Sequence, residues 1–224
     1  MSKQQNILRQ SNTPLSTKGK FISTIVIIVL FISFSLFFII YLTNDARNRR
    51  SAELFERAYL LITKDFNSAN IYSKEEMSKE IFPILDEIIA RYPNTNSGKR
   101  AIFYKGYVLY YLDKFNEASS IFEKILKKQN YYLTDKSCYF LSYCYENQDN
   151  INMAIDVLTN FDKNNKSSYY NPLFFYRVAS LYEKKGDKDN ALIYYKKIVD
   201  LPDDSSQKNN AKKRIAILEN DITF

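Results

Sequence analysis

The sequence has no histidine. That removes the commonest general base at neutral pH and every metal site built on an imidazole ligand. It has no tryptophan and only four glycines, scattered at Gly19, Gly98, Gly106 and Gly186, so no glycine-rich loop is available to cradle phosphates. The two cysteines, Cys138 and Cys144, are six residues apart. On a helix that separation rises about 9 Å, beyond the roughly 7 Å over which two Cα atoms can be bridged. Both are therefore expected to be small packing residues, and two unpaired thiols argue against an oxidising compartment. The acid pairs Asp203-Asp204 and Glu75-Glu76 fall in a turn and in first helical turns, where carboxylates complement the helix dipole. No catalytic residue, cofactor, metal or small-molecule substrate is expected, and the chain is not expected to be an enzyme.

Charge is unevenly distributed. The net charge is +7, yet Lys3, Arg9, Lys18 and Lys20 sit in an acid-free stretch, Met1–Lys20, expected to be a disordered basic tail. In the remainder 28 basic residues face 25 acidic ones, so no nucleic-acid footprint is expected. Phe21–Leu42, FISTIVIIVLFISFSLFFIIYL, carries no charge for 22 residues. At 1.5 Å per residue it spans about 33 Å, enough for a bilayer core. The run is too long for a signal peptide and no small-x-small cleavage site or lipobox cysteine follows it, so it is expected to be an uncleaved anchor. Its serines and threonine are expected to bond back to helix carbonyls. Without Gly or Ala it lacks the pattern for close pairing of membrane helices. Arg47, Arg49, Arg50 and Arg57 follow the span, so the positive-inside count ties. The cost of translocating a charged tail, and the indifference of long domains to the rule, favour a cytoplasmic N-terminus with the following domain outside.

The segment Gly98–Leu126, GKRAIFYKGYVLYYLDKFNEASSIFEKIL, reads as two amphipathic helices joined by a turn at Asp113–Asn116. Gly106, mid-helix, costs roughly 1 kcal/mol against Ala and so needs a packing reason. Twelve residues on stands Ala118, with Phe122 one turn further. Small residues on each helix let the backbones approach and the aromatic fills the space beside them, which is the tetratricopeptide (TPR) pattern. The pattern recurs: Ala154 follows Ala118 by 36 residues and Ala191 follows after 37 more. Twelve before each anchor stand Gly106, Ser142 and Ala179, and nine before stand Leu109, Tyr145 and Tyr182. Four after come Phe122, Leu158 and Tyr195, and Asp113, Asp149 and Gly186 break the chain at equivalent turns. Helix-start signals stand at Asn96/Ser97, Thr134/Asp135 and Asn171-Pro172.

The flanks extend the reading. Ser51–Tyr92 is expected to be a degenerate first repeat, with Leu54, Ala58 and Leu61 on one helix face. A loop near Asn67–Tyr72 leads to a second helix capped by Ser73 and Glu76 and kinked or delayed by Pro83. Ser206–Glu219 is expected to cap the array, with Ala211, Ile215, Ala216 and Leu218 inward and Lys208, Lys212 and Lys213 outward. The chain thus divides into a basic tail (1–20), an anchor (21–42), a membrane-proximal helix with the degenerate repeat (43–93), three TPR units (97–202), and a capping helix and tail (203–224). The fold class is all-α, and the anchor helix is expected to run unbroken into Ser51–Asp65.

The first helix of each pair should line a concave face. Its expected peptide-binding residues are Arg100, Phe103, Tyr107 and Tyr110, then Lys136, Tyr139 and Tyr143, then Tyr176. Glu146 and Glu183 share the same face. Tyrosine offers amphipathic contact area with little conformational entropy to lose.

The basic tail, single span and small TPR domain, with RSAELFERAYLLITKDF after the membrane and FFYRVASLYEKKGDKDNALIYYKKIVD near the end, resemble one bacterial family. This is the ancillary subunit of the Sec translocon (YfgM-like). The resemblance implies an inner-membrane anchor, a periplasmic domain, and chaperone-like contact with translocon subunits and newly exported chains. The alternative is a structural scaffold for cell division or Tol-like outer-membrane linkage.

Overall fold

The computed structural model describes residues 17–65, 71–128, 133–164, 171–202 and 206–220. Contacts divide the chain into two units, Met1–Arg49 and Arg50–Phe224. Helix α1, Thr17–Leu60, begins in the first unit and ends in the second. Of the expected basic tail, residues 1–16 lie outside the described residues.

The described part of the first unit is helical throughout. Its isoleucines, leucines and phenylalanines point outward all round, Phe21 at 70 % and Phe31 at 71 % exposure, and the helix is long and apolar enough to cross a membrane. The Ser35 hydroxyl donates to the Phe31 carbonyl at 2.9 Å and that of Thr43 to the Ile39 carbonyl at 3.0 Å. Ser33 does the same to Val29. These three hydroxyls are thus satisfied by carbonyls of their own helix.

The second unit is a helical-hairpin solenoid, and no strand occurs among the described residues. The end of α1 passes through a π-helical turn, Leu61–Asp65, and α2 follows at Ile71–Arg91. Three hairpins come next: α3 (Asn96–Tyr111) with α4 (Phe115–Lys127), α5 (Thr134–Asn147) with α6 (Ile151–Asn164), and α7 (Asn171–Lys184) with α8 (Lys188–Val199). Helix α9, Ser206–Glu219, ends the array.

The repeat is built from backbone chemistry as well as side chains. Asp113, Asp149 and Gly186 hold φ of 57°, 59° and 80°. Each sits just past the end of a first helix in a Schellman arrangement. The amides of Lys114, Asn150 and Asp187 donate to the carbonyls of Leu109, Tyr145 and Tyr182 at 3.0, 2.8 and 2.9 Å. Ala118, Ala154 and Ala191 are fully buried. At Gly106 a Cβ would lie 2.9 Å from Cε1 of the buried Phe122 ring, the packing reason for a mid-helix glycine.

Several expectations are corrected. Thr95, not Asn96 or Ser97, caps α3, its hydroxyl accepting from the Gly98 amide at 3.0 Å. Thr134 is already helical, and Leu133 before it offers no side-chain cap. Helix α2 starts at Ile71, so Ser73 and Glu76 lie inside it, and most of the expected Asn67–Tyr72 loop lies outside the described residues. Pro83 does not delay α2, which starts at Ile71 and continues through it. Pro83 is exposed, as is Lys79, whose carbonyl the proline deprives of its usual amide donor. In the first repeat the buried seam is Phe55, Ala58 and Ile62, with Leu54 and Leu61 only half-buried. On α9, Ala216 is exposed, and the Lys208 ammonium turns back to the Leu201 carbonyl at 2.8 Å.

Candidate functional site: an aromatic cleft

The first helices of the hairpins stand side by side, so residues one turn apart on α3 face residues one turn apart on α5. Phe103, Tyr104 and Tyr107 from α3 meet Lys136, Tyr139 and Phe140 from α5 around a cleft of about 300 Å³. Ile62 and Thr63, from the π-helical turn, close one side. The volume is at the lower end for ligand sites, enough for one or two side chains of an extended segment. Lys136, exposed, is the one charged residue of the lining.

The rings fix one another edge to face. Phe140 lies 5.2 Å from Tyr107 and 5.9 Å from Phe103, both at steep angles, the geometry the aromatic quadrupole favours. The hydroxyls of Tyr139 and Tyr143 are 3.0 Å apart. Burial, then the bond to Tyr143, pushes the Tyr139 phenol well above its ordinary range. Burial also raises Tyr104 and takes Tyr110 up to about 12. The cleft is therefore lined by neutral phenols and phenyl rings, suited to apolar and amphipathic side chains.

Of the eight expected contact residues, the fold brings Phe103, Tyr107, Lys136 and Tyr139 together here. Phe103 nevertheless corrects its expected role: at 3 % exposure it is a core ring that floors the cleft, not a projecting anchor. Arg100 is not at the rim, since its guanidinium lies 4.1 Å over the Phe55 ring and helps pack α3 on α1. Tyr110 is wedged among Phe115, Phe140 and Tyr143. Tyr143 lies under the Arg177 guanidinium at 3.5 Å. Tyr176 packs 5.4 Å from Tyr195 in the last hairpin. Sequence reasoning missed Tyr104 and Phe140, whose shared place fourteen residues before their alanine anchors was a findable signal.

Glu146 and Glu183, expected to face ligand, are consumed by neighbouring repeats. Glu146 pairs with Arg177 and with Lys184 at 3.0 Å, and Glu183 pairs with Arg214. Burial alone would raise the Glu146 carboxyl, but the bonds from Arg177 and Lys184 hold it below its ordinary value.

Cys138 and Cys144 are both free and buried. The Cys138 thiol donates to the Val157 carbonyl at 3.3 Å, and burial takes Cys144 up to about 12. Protonated, shielded thiols pack rather than attack.

No curated protein matches the chain. Among solved structures, that of PcrH from Pseudomonas aeruginosa is similar at a TM-score of 0.48 and 15 % identity, over 56 % of this chain and 94 % of PcrH. Residues 174–204, which take in most of the third hairpin, match the tetratricopeptide repeat model.

Proposed function

We propose that this chain is a membrane-anchored TPR module that holds newly exported or envelope proteins at the Sec translocon, chaperone-like and without catalysis. The observation that carries the reading is the aromatic cleft between α3 and α5, open to solvent and neutral except for Lys136. An extended chain leaving a translocon exposes apolar side chains, and edge-on phenols accept these with little demand on sequence. Phe21–Leu42 is the inner-membrane anchor, with the N-terminus in the cytoplasm and the TPR unit in the periplasm.

Site-specific photocrosslinking from position 107 in the full-length, membrane-bound chain tests this. Translocon subunits together with many exported chains are expected as adducts. A single stoichiometric envelope partner would replace the proposal with a scaffold. Protease added to spheroplasts should digest the TPR unit; protection until the inner membrane is opened would overturn the orientation. Tyr107→Ala with Tyr139→Ala should weaken client binding by about 2 kcal/mol.

A further inference from the structure

A second depression, of about 460 Å³, opens on another face of α3. Its apolar surface comes from Ile89 of α2, Ile102 of α3, and Ile121 and Ile125 of α4. Its rim carries Lys105, Lys124, Lys127 and Lys128. Asp86 is the one carboxylate of the lining, and Lys105 already holds it at 2.6 Å. Lys124, Lys127 and Lys128 are exposed, and among the described residues no carboxylate pairs with them. They lie within one turn of each other, a ridge of positive charge about 6 Å long beside aliphatic side chains.

Lys124 and Lys127 in the last turn of α4 also complement the helix dipole. That accounts for cations at a helix end, but not for half-exposed Ile89, Ile102 and Ile121 beside them, which a purely solvated face would replace with polar groups. The pairing of an aliphatic floor with charge of one sign selects the ligand. A long-chain fatty carboxylate satisfies the floor yet brings one charge to three lysines that have no carboxylate partner among the described residues. An amphipathic helix brings both, with aliphatic residues at i and i+4 and carboxylates repeating along its flanks at the same one-turn spacing as the lysines.

We propose that the groove between α2 and α4 docks an acidic amphipathic helix of a partner protein, at a site separate from the aromatic cleft. The test uses the full chain in detergent micelles and a fluorescent helical peptide of about 18 residues, five turns, with leucines along one face and glutamates on both flanks. A second peptide carries lysines for the glutamates, and oleate serves as the third probe. The glutamate peptide should bind, more weakly as salt rises, and the variant Lys124→Glu/Lys127→Glu/Lys128→Glu should weaken it at least about tenfold. The same variant should gain affinity for the lysine peptide, which shows that it remains folded. Tyr107→Ala with Tyr139→Ala should leave the glutamate peptide bound as before. Equal binding of both peptides by the unaltered chain, an unchanged affinity in the charge-reversed variant, or binding of oleate alone would each overturn the proposal.

Discussion

Asp113 and Asp149 occupy left-handed backbone at φ 57° and 59°, where Gly186 stands in the third repeat. Aspartate tolerates this region better than most residues, but glycine does so without the Cβ penalty. Asp113→Gly and Asp149→Gly should therefore each stabilise the chain by about 0.5–1 kcal/mol, and Gly186→Ala should cost about 1 kcal/mol, in denaturant melts followed by circular dichroism. These turns were legible in the sequence because few residue types accept the conformation, and all three recur at one period. Gly98 was not legible. Its need comes from the Tyr92-Pro93 turn, which brings the Tyr92 carbonyl to 2.0 Å from where a Cβ would stand. Because that neighbour is backbone, Gly98→Ala must move the turn itself, and a loss of at least about 1–3 kcal/mol is expected in the same melts.

Between elements, one repeat position carries the coupling from hairpin to hairpin. Eight residues before the alanine anchors stand Tyr110, Glu146 and Glu183, and each meets the next first helix or the cap. Tyr110 meets Phe140 edge-on at 5.3 Å, Glu146 meets Arg177, and Glu183 meets Arg214. The contact is aromatic between the first two hairpins and ionic between later ones. The sequence reading placed this position on a ligand face because apolar periodicity finds core positions and says nothing of where a charge finds its counter-charge. Arg177 is only 7 % exposed, so Glu146→Gln should cost about 2–3 kcal/mol, less than a fully buried pair would because Lys184 reaches solvent. Glu146→Tyr with Arg177→Phe, which copies the earlier contact, should recover most of that loss. The carboxyl's lowered value also sets a pH dependence. Its stabilisation is complete above the ordinary carboxylate value of 4.5 and is lost as pH falls through the folded value below it. Melts from pH 6 down to about 3 should fall less steeply for Glu146→Gln than for the unaltered chain.

At the scale of the whole TPR unit, the core is a relay of three clusters joined by shared helices. Helix α3 gives Ala101, Val108 and Leu112 to the cluster under α1 and α2, and Phe103 and Leu109 to the central one. Helix α7 gives Phe174, Val178 and Leu181 to the central cluster, and Phe175 and Ala179 to the last, which α9 closes with Ala211. The repeat pattern made the three hairpins and the cap legible, since a small anchor, an aromatic and a breaker share one period. It could not show how the π-helical turn brings Ile62 and Thr63 to the lining of the cleft, because that depends on where α1 ends. A relay in which each helix pair touches only its neighbours should lose structure from an open end inward. Deleting residues from Ser206 onward uncovers Tyr195 and Ile198, each at most 1 % exposed, together with Phe175. Hydrogen exchange on the full-length and shortened chains should then show protection lost in α7 and α8 and retained in α2 and α3. An equal loss in α2 and α3 would mean that the clusters unfold as one block, and the nearest-neighbour account of this unit would fail.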